Sequence, residues 1–277
     1  MGERFLEGRT ALITGGATGM GRAIAEALSG AGANIAIGSL ASGAELKGGA
    51  YAHLPSQGEV GEAVAAIAAR GGQVKAFPLD LRDEATVETF HKATVAAFGP
   101  VDILVNAAGV SAQALVTDEN SDDVWATVLD INLNGSYRTI RRCMPAMIER
   151  GWGRIVNIAS TAANVGFPRN GAYCASKHGL LGLTRCVALE GAPHGVTCNA
   201  INPGSVGTGM MRRGSEIRAS RGEGGSWEEN FELVAQGMPQ RRLITVEEIA
   251  ATALFLCRDE ARGITSEDID VAGGALW

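Results

Sequence analysis

Tyr173 and Lys177 are the two residues of this sequence whose types and spacing most directly allow acid–base chemistry. Residues four positions apart on a helix lie on the same face, with their Cβ atoms about 5–6 Å apart. A free phenol loses its proton only near pH ~10, but a nearby ammonium stabilises the phenolate and brings proton transfer closer to neutral pH. The chain has three tyrosines and four lysines. Chance therefore gives roughly 0.04 such pairs, although a solvated i,i+4 contact would show the same spacing.

A glycine cluster near the N-terminus offers a second kind of chemistry, the binding of phosphate. The segment Thr14–Gly21 reads Thr-Gly-Gly-Ala-Thr-Gly-Met-Gly and follows a buried-strand pattern at Thr10–Thr14. Where a strand leads into a helix, a glycine backbone can approach a pyrophosphate, and the free N–H groups of the helix N-terminus face it. A structural turn is the alternative reading of such a cluster. The strand–loop–helix context favours a dinucleotide site.

The elements that would position these residues alternate along the chain, with short apolar runs between longer amphipathic ones. This pattern is typical of βαβ units around a parallel sheet. The predicted strands are Thr10–Thr14, Asn34–Gly38, Val74–Pro78, Val101–Asn106, Arg154–Ala159, Val196–Ile201 and a last one near 268–271. The predicted helices lie near 20–30, from Glu59 onward, near 84–98, 121–149 and 171–190, around Trp227–Gln236, and near 246–257. We expect Pro145 to kink or end the helix that contains it.

Two segments interrupt this alternation. Residues 39–58 form a Gly/Ser/Ala-rich insertion after the second strand, and residues 207–240 hold glycines, four arginines and one predicted helix. Connections of this length usually serve as lids or binding loops. We therefore predict an inserted loop at 39–58 and a substrate lid at 207–240 within one domain that spans residues 1–277.

Composition excludes several classes of protein. The net charge of −6 offers no basic field for nucleic acid. No signal region or run of 18 apolar residues is found, which argues against a membrane protein. The five cysteines show no metal-binding or paired spacing, so we expect reduced thiols, a cytoplasmic protein and no metal site.

The motifs, taken in order, resemble those of the classical short-chain dehydrogenases/reductases over nearly the whole chain. Thr14–Gly21 is similar to the TGxxxGxG cofactor loop, Asn106–Gly109 to the NAG motif and Pro203–Thr208 to the PG segment beside the nicotinamide. Ser160 stands 13 residues before Tyr173, as the catalytic serine of this family does, and Tyr173 and Lys177 match its YxxxK pair. The resemblance implies one doubly wound Rossmann-type α/β domain with helices on both faces and a seven-stranded parallel sheet of order 3-2-1-4-5-6-7.

The resemblance also implies a set of site residues. The implied catalytic residues are Asn132, Ser160, Tyr173 and Lys177. The implied cofactor-binding residues are Gly15, Thr18, Gly19, Met20, Gly21, Ser39, Asp80, Leu81, Asn106, Ala107, Gly109, Tyr173, Lys177, Pro203, Gly204, Val206 and Thr208. In these roles Ser160 donates to the substrate oxygen, Tyr173 transfers its proton, Lys177 lowers the tyrosine pKa and binds the nicotinamide ribose, and Asn132 anchors a water in a proton relay.

The cofactor is implied to be NAD or NADP, and one position separates the two. Ser39 stands at the end of the second strand, where an acid holds the ribose hydroxyls in NAD-binding members. A neutral hydroxyl removes the repulsion against a 2′-phosphate, which favours NADP. Positive partners are missing beside it, since Leu40 follows and residue 18 is threonine; Lys47 could reach the phosphate or be solvated.

The predicted function is the interconversion of a secondary alcohol and a ketone by hydride transfer. A 3-oxoacyl thioester reductase is the alternative within the class, and a non-catalytic dinucleotide-binding regulator is the alternative from another class. Arg212, Arg213, Arg218 and Arg221 in the lid could bind an anionic substrate or form a solvated face with nearby glutamates. The resemblance further implies a homotetramer or homodimer packed through the helices near 121–149 and 171–190. The C-terminal Trp277 is a candidate interface or core residue.

Overall fold

Parallel strands buried on both faces require near-continuous apolar runs, and this requirement is met by most of the strands of this chain. In the computed structural model, which describes residues 4–275, seven strands form one parallel sheet of order β3-β2-β1-β4-β5-β6-β7. The strands are β1 (Thr10–Thr14), β2 (Asn34–Ser39), β3 (Val74–Pro78), β4 (Ile103–Asn106), β5 (Gly153–Ile158), β6 (Val196–Pro203) and β7 (Asp268–Val271). The predicted strand order is confirmed. Trp277 lies outside the described residues.

Helices cover both faces of the sheet. They are α1 (Gly19–Gly30), α2 (Gln57–Ala68), α3 (Glu84–Phe98), α4 (Ser121–Leu129), α5 (Gly135–Glu149), α6 (Gly171–Gly191), α7 (Gly209–Ser220), α8 (Trp227–Gly237) and α9 (Val246–Leu256). Alternate residues of β1 point to opposite faces, so Ala11 and Ile13 pack with α1, α2 and α9, whereas Leu12 packs with α3 to α6. None of the helices within residues 4–275 is long and apolar enough to cross a membrane.

The predicted helix at 121–149 is interrupted, but not at its proline. A π-helical turn, Asp130–Asn134, separates α4 from α5. Pro145 lies inside α5, which continues to Glu149. A π turn leaves an extra residue in the helix and is frequent at functional sites. It contains Asn132, one of the predicted catalytic residues.

The predicted lid, residues 207–240, contains two helices, whereas the sequence predicted one. The helix α8 was predicted, and α7 was not. The buried residues of α7 are Gly214 and Ser215, and the rest of the helix is rich in arginine. A helix whose buried face is a glycine and a serine has no apolar period, so hydrophobic periodicity cannot reveal it.

Candidate active site

The glycine loop after β1 leaves no room for side chains at Gly15 and Gly21. Gly15 has a φ of +68°, and a Cβ atom there would lie 2.8 Å from Cα of Ala108. A Cβ atom on Gly21 would collide with the carbonyl oxygen of Gly15. The loop is fixed to β4 by Thr14, whose Oγ1 accepts hydrogen bonds from the N–H groups of Ala107 and Ala108 at 3.2 and 3.1 Å. The loop backbone is therefore held close to the residues after β4, and no side chain covers it.

The helix that follows the loop presents its N-terminus to a groove. Thr18 is the N-cap residue of α1, and its side chain makes no capping hydrogen bond. The first N–H groups of the helix are thus available to an anion, and the helix dipole favours negative charge there. The groove has a volume of about 960 Å³ and lies against the carboxyl ends of β1, β2 and β4. This cradle fits the pyrophosphate of a dinucleotide.

Most of the predicted cofactor-binding residues line this groove. Those that do are Gly15, Thr18, Gly19, Met20, Gly21, Ser39, Asp80, Leu81, Ala107, Gly109 and Thr208. The others, namely Asn106, Tyr173, Lys177, Pro203, Gly204 and Val206, lie outside its lining. The Asn106 side chain binds other buried groups instead, because Nδ2 donates to Asn157 Oδ1 and Oδ1 accepts from the hydroxyl of Thr139.

Asp80 faces the groove with its charge already neutralised by a neighbour. Nε and Nη2 of Arg82 donate to both carboxylate oxygens of Asp80, the shortest contact being 2.7 Å. Hydrogen bonds from this guanidinium lower the pKa of Asp80, against the opposing effect of burial. The carboxylate is therefore ionised and held in one orientation at this edge of the groove.

The groove is also lined by an unsatisfied hydroxyl and by a carboxylate that forms ion pairs with two arginines. Ser39 Oγ is buried and has no hydrogen-bond partner among the described residues. Arg22 and Arg70 line the same groove, and both bind Glu26, at 3.1 and 2.8 Å. An orphaned hydroxyl is costly inside a protein unless a ligand satisfies it.

Ser160 lies directly after β5 and begins a short 3₁₀ turn, Thr161–Ala163. Its Oγ accepts a hydrogen bond from the N–H of Ala162 at 3.1 Å, which fixes the hydroxyl group. Its hydroxyl lies close enough to Tyr173 to act on the pKa of the phenol, in the direction that lowers it. The structure thus brings together the predicted serine and the predicted tyrosine, although they come from different elements.

Tyr173 lies in the first turn of α6 and is half-buried. Burial raises the pKa of Tyr173, and the nearby Ser160 hydroxyl acts in the opposite direction. Lys177 lies one turn later with its Nζ 5.7 Å from the centre of the tyrosine ring. The lowering of the tyrosine pKa by this ammonium stays a prediction.

Lys177 is buried, and its ammonium donates a 2.8 Å hydrogen bond to the carbonyl oxygen of Ile158. Burial lowers the pKa of Lys177 to about 8. A lysine with such a pKa exchanges its proton near neutral pH, which is the property expected of a proton carrier. The carbonyl of Ile158 belongs to the end of β5, so strand and helix together set the position of this group.

Asn132 is buried in the π turn and joins three elements. Its Oδ1 accepts from the N–H of Val110 at 2.9 Å, while Nδ2 donates to the carbonyl of Val110 and to Ser176 Oγ. A Cβ atom on Gly109 would lie 3.3 Å from Asn132 Oδ1 and 3.8 Å from Lys177 Nζ. Asn132, Lys177 and the loop after β4 therefore meet at the end of the groove.

The four lid arginines do not form one cluster. Arg212 and Arg213 both bind Glu216, at 3.1 and 3.3 Å. Arg221 donates to Gln113. No ion pair is found for Arg218 among the described residues. Among residues 4–275, no group of three or more His, Cys, Asp or Glu is arranged to hold a metal ion.

Sequence reasoning missed several residues that the structure places at this site. Ser176 supports Asn132 and lies within the tyrosine–lysine motif, and a polar residue on the buried face of a helix could have indicated it. Arg22 and Glu26 belong to α1 and Arg70 to the turn after α2, so their meeting at the groove depends on tertiary packing. The insertion at 39–58 also reaches the groove, through Ala52, His53, Leu54 and Pro55.

A glycine-lined groove at the carboxyl ends of parallel strands, next to a serine, a tyrosine and a buried lysine, defines a dinucleotide-binding oxidoreductase. Comparison with known proteins agrees. Residues 15–275 match the family model described as enoyl-(acyl carrier protein) reductase.

Two curated relatives are dehydrogenases of small hydroxy compounds. The chain is 37% identical over 268 residues to a D-beta-hydroxybutyrate dehydrogenase of Rhizobium meliloti, covering 96% of this chain and 98% of the relative. It is 35% identical over 270 residues to a D-threitol dehydrogenase of Mycolicibacterium smegmatis, covering 97% and 93%. A solved structure of actinorhodin polyketide ketoreductase with NADPH superposes with a TM-score of 0.86 at 31% identity, covering 96% of each chain.

The chain belongs to the short-chain dehydrogenase/reductase family. It is an NAD(P)-dependent oxidoreductase that acts on CH–OH groups by hydride transfer, and the alternative of a non-catalytic regulator is set aside.

Proposed function

We propose that Tyr173 is the general acid/base of this enzyme, that Ser160 orients the substrate oxygen, and that Lys177 passes the proton onward. The observation that carries this proposal is the meeting of Ser160, which acts to lower the pKa of the half-buried Tyr173 phenol, with that phenol and with Lys177 beside its ring. The bound nicotinamide supplies or accepts the hydride. The protein orients both reactants and controls the proton.

In oxidation of an alcohol, Tyr173 accepts the hydroxyl proton, and in reduction it donates a proton to the carbonyl oxygen. Negative charge on that oxygen is stabilised by donation from Ser160, whose rotation is restricted by its bond to Ala162. A phenol of raised pKa holds its proton at neutral pH, which suits the reductive direction. For the oxidative direction the proton has to leave, and Lys177, with a pKa of about 8, is the neighbouring group that titrates in the useful range.

Asn132 is proposed to act by positioning. Its side-chain bonds to Val110 and Ser176 hold the π turn open beside Lys177. Replacement of Asn132 by a residue that favours a regular α-helix would close the π turn and shift Lys177 and the loop after β4.

We propose that NADP is preferred over NAD. Ser39 puts an orphaned hydroxyl where an acid would repel a 2′-phosphate, and Arg22 and Arg70 also line the groove. Both guanidinium groups bind Glu26, so a phosphate would share them with this carboxylate. The cofactor-binding roles of the remaining predicted residues follow from their place in or beside the groove.

The proposed substrates are small secondary alcohols and the matching ketones, as the names of the hydroxybutyrate and threitol dehydrogenases suggest. A carboxylate on the substrate would find Arg218 as the lid arginine without a partner in the described chain. An acyl thioester is the second candidate, favoured by the likeness to a polyketide ketoreductase.

A substrate panel tests the proposed function. Straight-chain 2-alcohols, 3-hydroxy acids, polyols and a 3-oxoacyl thioester are each assayed with both cofactors, and the absorbance of the reduced nicotinamide is followed. We expect turnover of free alcohols or ketones with a higher kcat/KM for NADP(H). Turnover of the thioester alone would replace the substrate assignment, and a clear preference for NAD(H) would overturn the cofactor assignment.

We further propose that the whole chain is one catalytic domain and that it assembles into a homodimer or homotetramer in the cytoplasm. Support comes from half-exposed aromatic residues on α4 and α5, Trp125 and Tyr137, and from the exposed Leu189 on α6. The five cysteines are free thiols, as a reducing compartment favours. Sedimentation velocity of the protein and of a Leu189→Glu variant tests the assembly.

A further inference from the structure

Residues 40–55, which lie between β2 and α2, are called the strap, because they line part of the groove and contact the lid. Ala52, His53, Leu54 and Pro55 line the groove. At its other side the strap packs on α4, where Asn120 Nδ2 donates a 3.1 Å hydrogen bond to the carbonyl of Gly48. Ala50 is buried. The strap is therefore anchored to the body of the protein.

Tyr51 is held next to the catalytic residues by its backbone. Its N–H donates to the carbonyl of Ser111 at 2.7 Å, and the N–H of Ser111 donates back to the carbonyl of Tyr51 at 2.9 Å. Ser111 follows Gly109 by two residues, and Gly109 lies against Asn132 and Lys177. A two-bond antiparallel bridge fixes both the position and the orientation of the residue that makes it.

The side chain of Tyr51 points to the lid. A Cβ atom built on Gly214 of α7 would lie 2.8 Å from the Tyr51 hydroxyl oxygen and 3.3 Å from its ring. Gly209, at the start of the same helix, is packed in the same way against His53 of the strap. The Tyr51 hydroxyl has no hydrogen-bond partner among residues 4–275. The ring thus lies against α7 of the lid, while its backbone is fixed to the loop after β4.

A second observation brings Tyr51 near the reacting groups. The pKa of Tyr173 is raised first by burial, and the phenol of Tyr51 adds to that rise by repulsion between the two phenolates. The repulsion between two like charges grows as they approach each other. Together with the backbone bridge to Ser111, it indicates that Tyr51 lies near Tyr173, beside the space that a substrate of Tyr173 would occupy.

We propose that Tyr51 is a specificity-determining residue, and that its ring, which packs against Gly214 while its backbone pairs with Ser111, forms the wall that limits the length of the substrate. This assignment rests on the proposed function of the Ser160–Tyr173–Lys177 site. The strap is thereby part of the substrate pocket as well as of the cofactor groove. Its aromatic side chain excludes chains that extend from the reacting carbon toward α7.

Chain-length profiles test the assignment. The ratio of kcat/KM for a ten-carbon to a four-carbon 2-alcohol is measured for the unmodified protein, Tyr51→Ala and Tyr51→Phe, with Ser42→Ala as a control at an exposed position of the same strap. We expect Tyr51→Ala to raise this ratio by about tenfold or more, because a few methylenes in an apolar pocket decide discrimination of this size. Tyr51→Phe and Ser42→Ala should leave it unchanged.

A double-mutant cycle covers the case in which Tyr51→Ala does not fold. Gly214→Ala should displace the Tyr51 ring and alter the ratio, and combination with Tyr51→Phe should restore it, because the colliding oxygen is gone. Gly61→Ala, at an open helical position of α2, is the matched control. An unaltered length profile in both Tyr51→Ala and Gly214→Ala would overturn the role of Tyr51 while leaving the proposed function intact. Failure of the unmodified protein to turn over any alcohol or ketone would overturn both.

Discussion

Lys177 and Tyr173 lie side by side without sharing a hydrogen bond: the lysine Nζ is 5.7 Å from the centre of the tyrosine ring and donates to the carbonyl of Ile158 instead. Both side chains are buried enough that each is shifted toward its neutral form, so the pKa of the phenol rises and that of the ammonium falls. The pair is thus a neutral acid next to a group that titrates near pH 8. The proposed proton transfer would use both groups.

The buried ammonium of Lys177 should cost stability at neutral pH. Its pKa falls from 10.5 to about 8 on folding, so between these values the unfolded chain binds more protons and stability rises with pH. The whole difference corresponds to ~3 kcal/mol, present as a penalty below about pH 8 and relieved as pH approaches 10.5.

Lys177→Met removes this titration and keeps the volume of the side chain. Urea unfolding of both proteins at pH 7, 8, 9 and 10 should show the unmodified protein gaining stability relative to the variant as pH rises. The variant should lose activity at every pH. A stability difference that is flat over this range would mean that Lys177 is not depressed in pKa.

The glycine loop should fail as a cofactor cradle when a side chain enters it. Gly19 has a φ of +52°, and its Cβ position points across the groove to Thr208 at 3.6 Å. We expect Gly19→Ala to raise the KM for NADP(H) by about tenfold or more, equivalent to at least ~1.4 kcal/mol of binding. Gly43→Ala also replaces a glycine of positive φ, but in open space outside the groove lining, and should change thermal stability only. Equal KM values in the two variants would contradict the cradle.

The cofactor preference should depend on Ser39. An aspartate there would repel a 2′-phosphate and accept hydrogen bonds from the ribose hydroxyls. We expect Ser39→Asp to shift the ratio of kcat/KM for NADPH to that for NADH at least about tenfold toward NADH, a change of ~1.4 kcal/mol. Ser39→Asn, similar in size and uncharged, is the control. A ratio that stays constant in Ser39→Asp would show that residue 39 does not meet the ribose.

The sheet and the catalytic motif were predictable because they are encoded locally. Buried parallel strands such as β1 and β6 read as short apolar runs, and Tyr173 and Lys177 show their spacing on one helix. The strand order followed from the family resemblance. The roles of the site residues stay predictions, and the place of each in or near the groove supports them to different degrees. Asn106 is supported least, since its side chain binds Asn157 and Thr139.

What the sequence did not reveal depends on contacts between distant segments. Asn132 in the π turn Asp130–Asn134 bonds to Val110 and Ser176, and neither partner is near in sequence. The only buried residues of α7 are a glycine and a serine, so the helix carries no apolar signature. The contact of Tyr51 with Gly214 joins the insertion to the lid. Hydrophobic periodicity cannot reveal a contact between two such distant segments.

The most direct measurement is the single-turnover rate of Tyr173→Phe with saturating cofactor and the best substrate of the panel. Phenylalanine keeps the ring and removes only the hydroxyl, whose pKa Ser160 acts to lower. We predict a loss of about 10²–10⁴-fold in this rate, as expected for general acid/base catalysis, with cofactor affinity and melting temperature unchanged. A variant that keeps the full rate would contradict the central claim that this phenol transfers the proton.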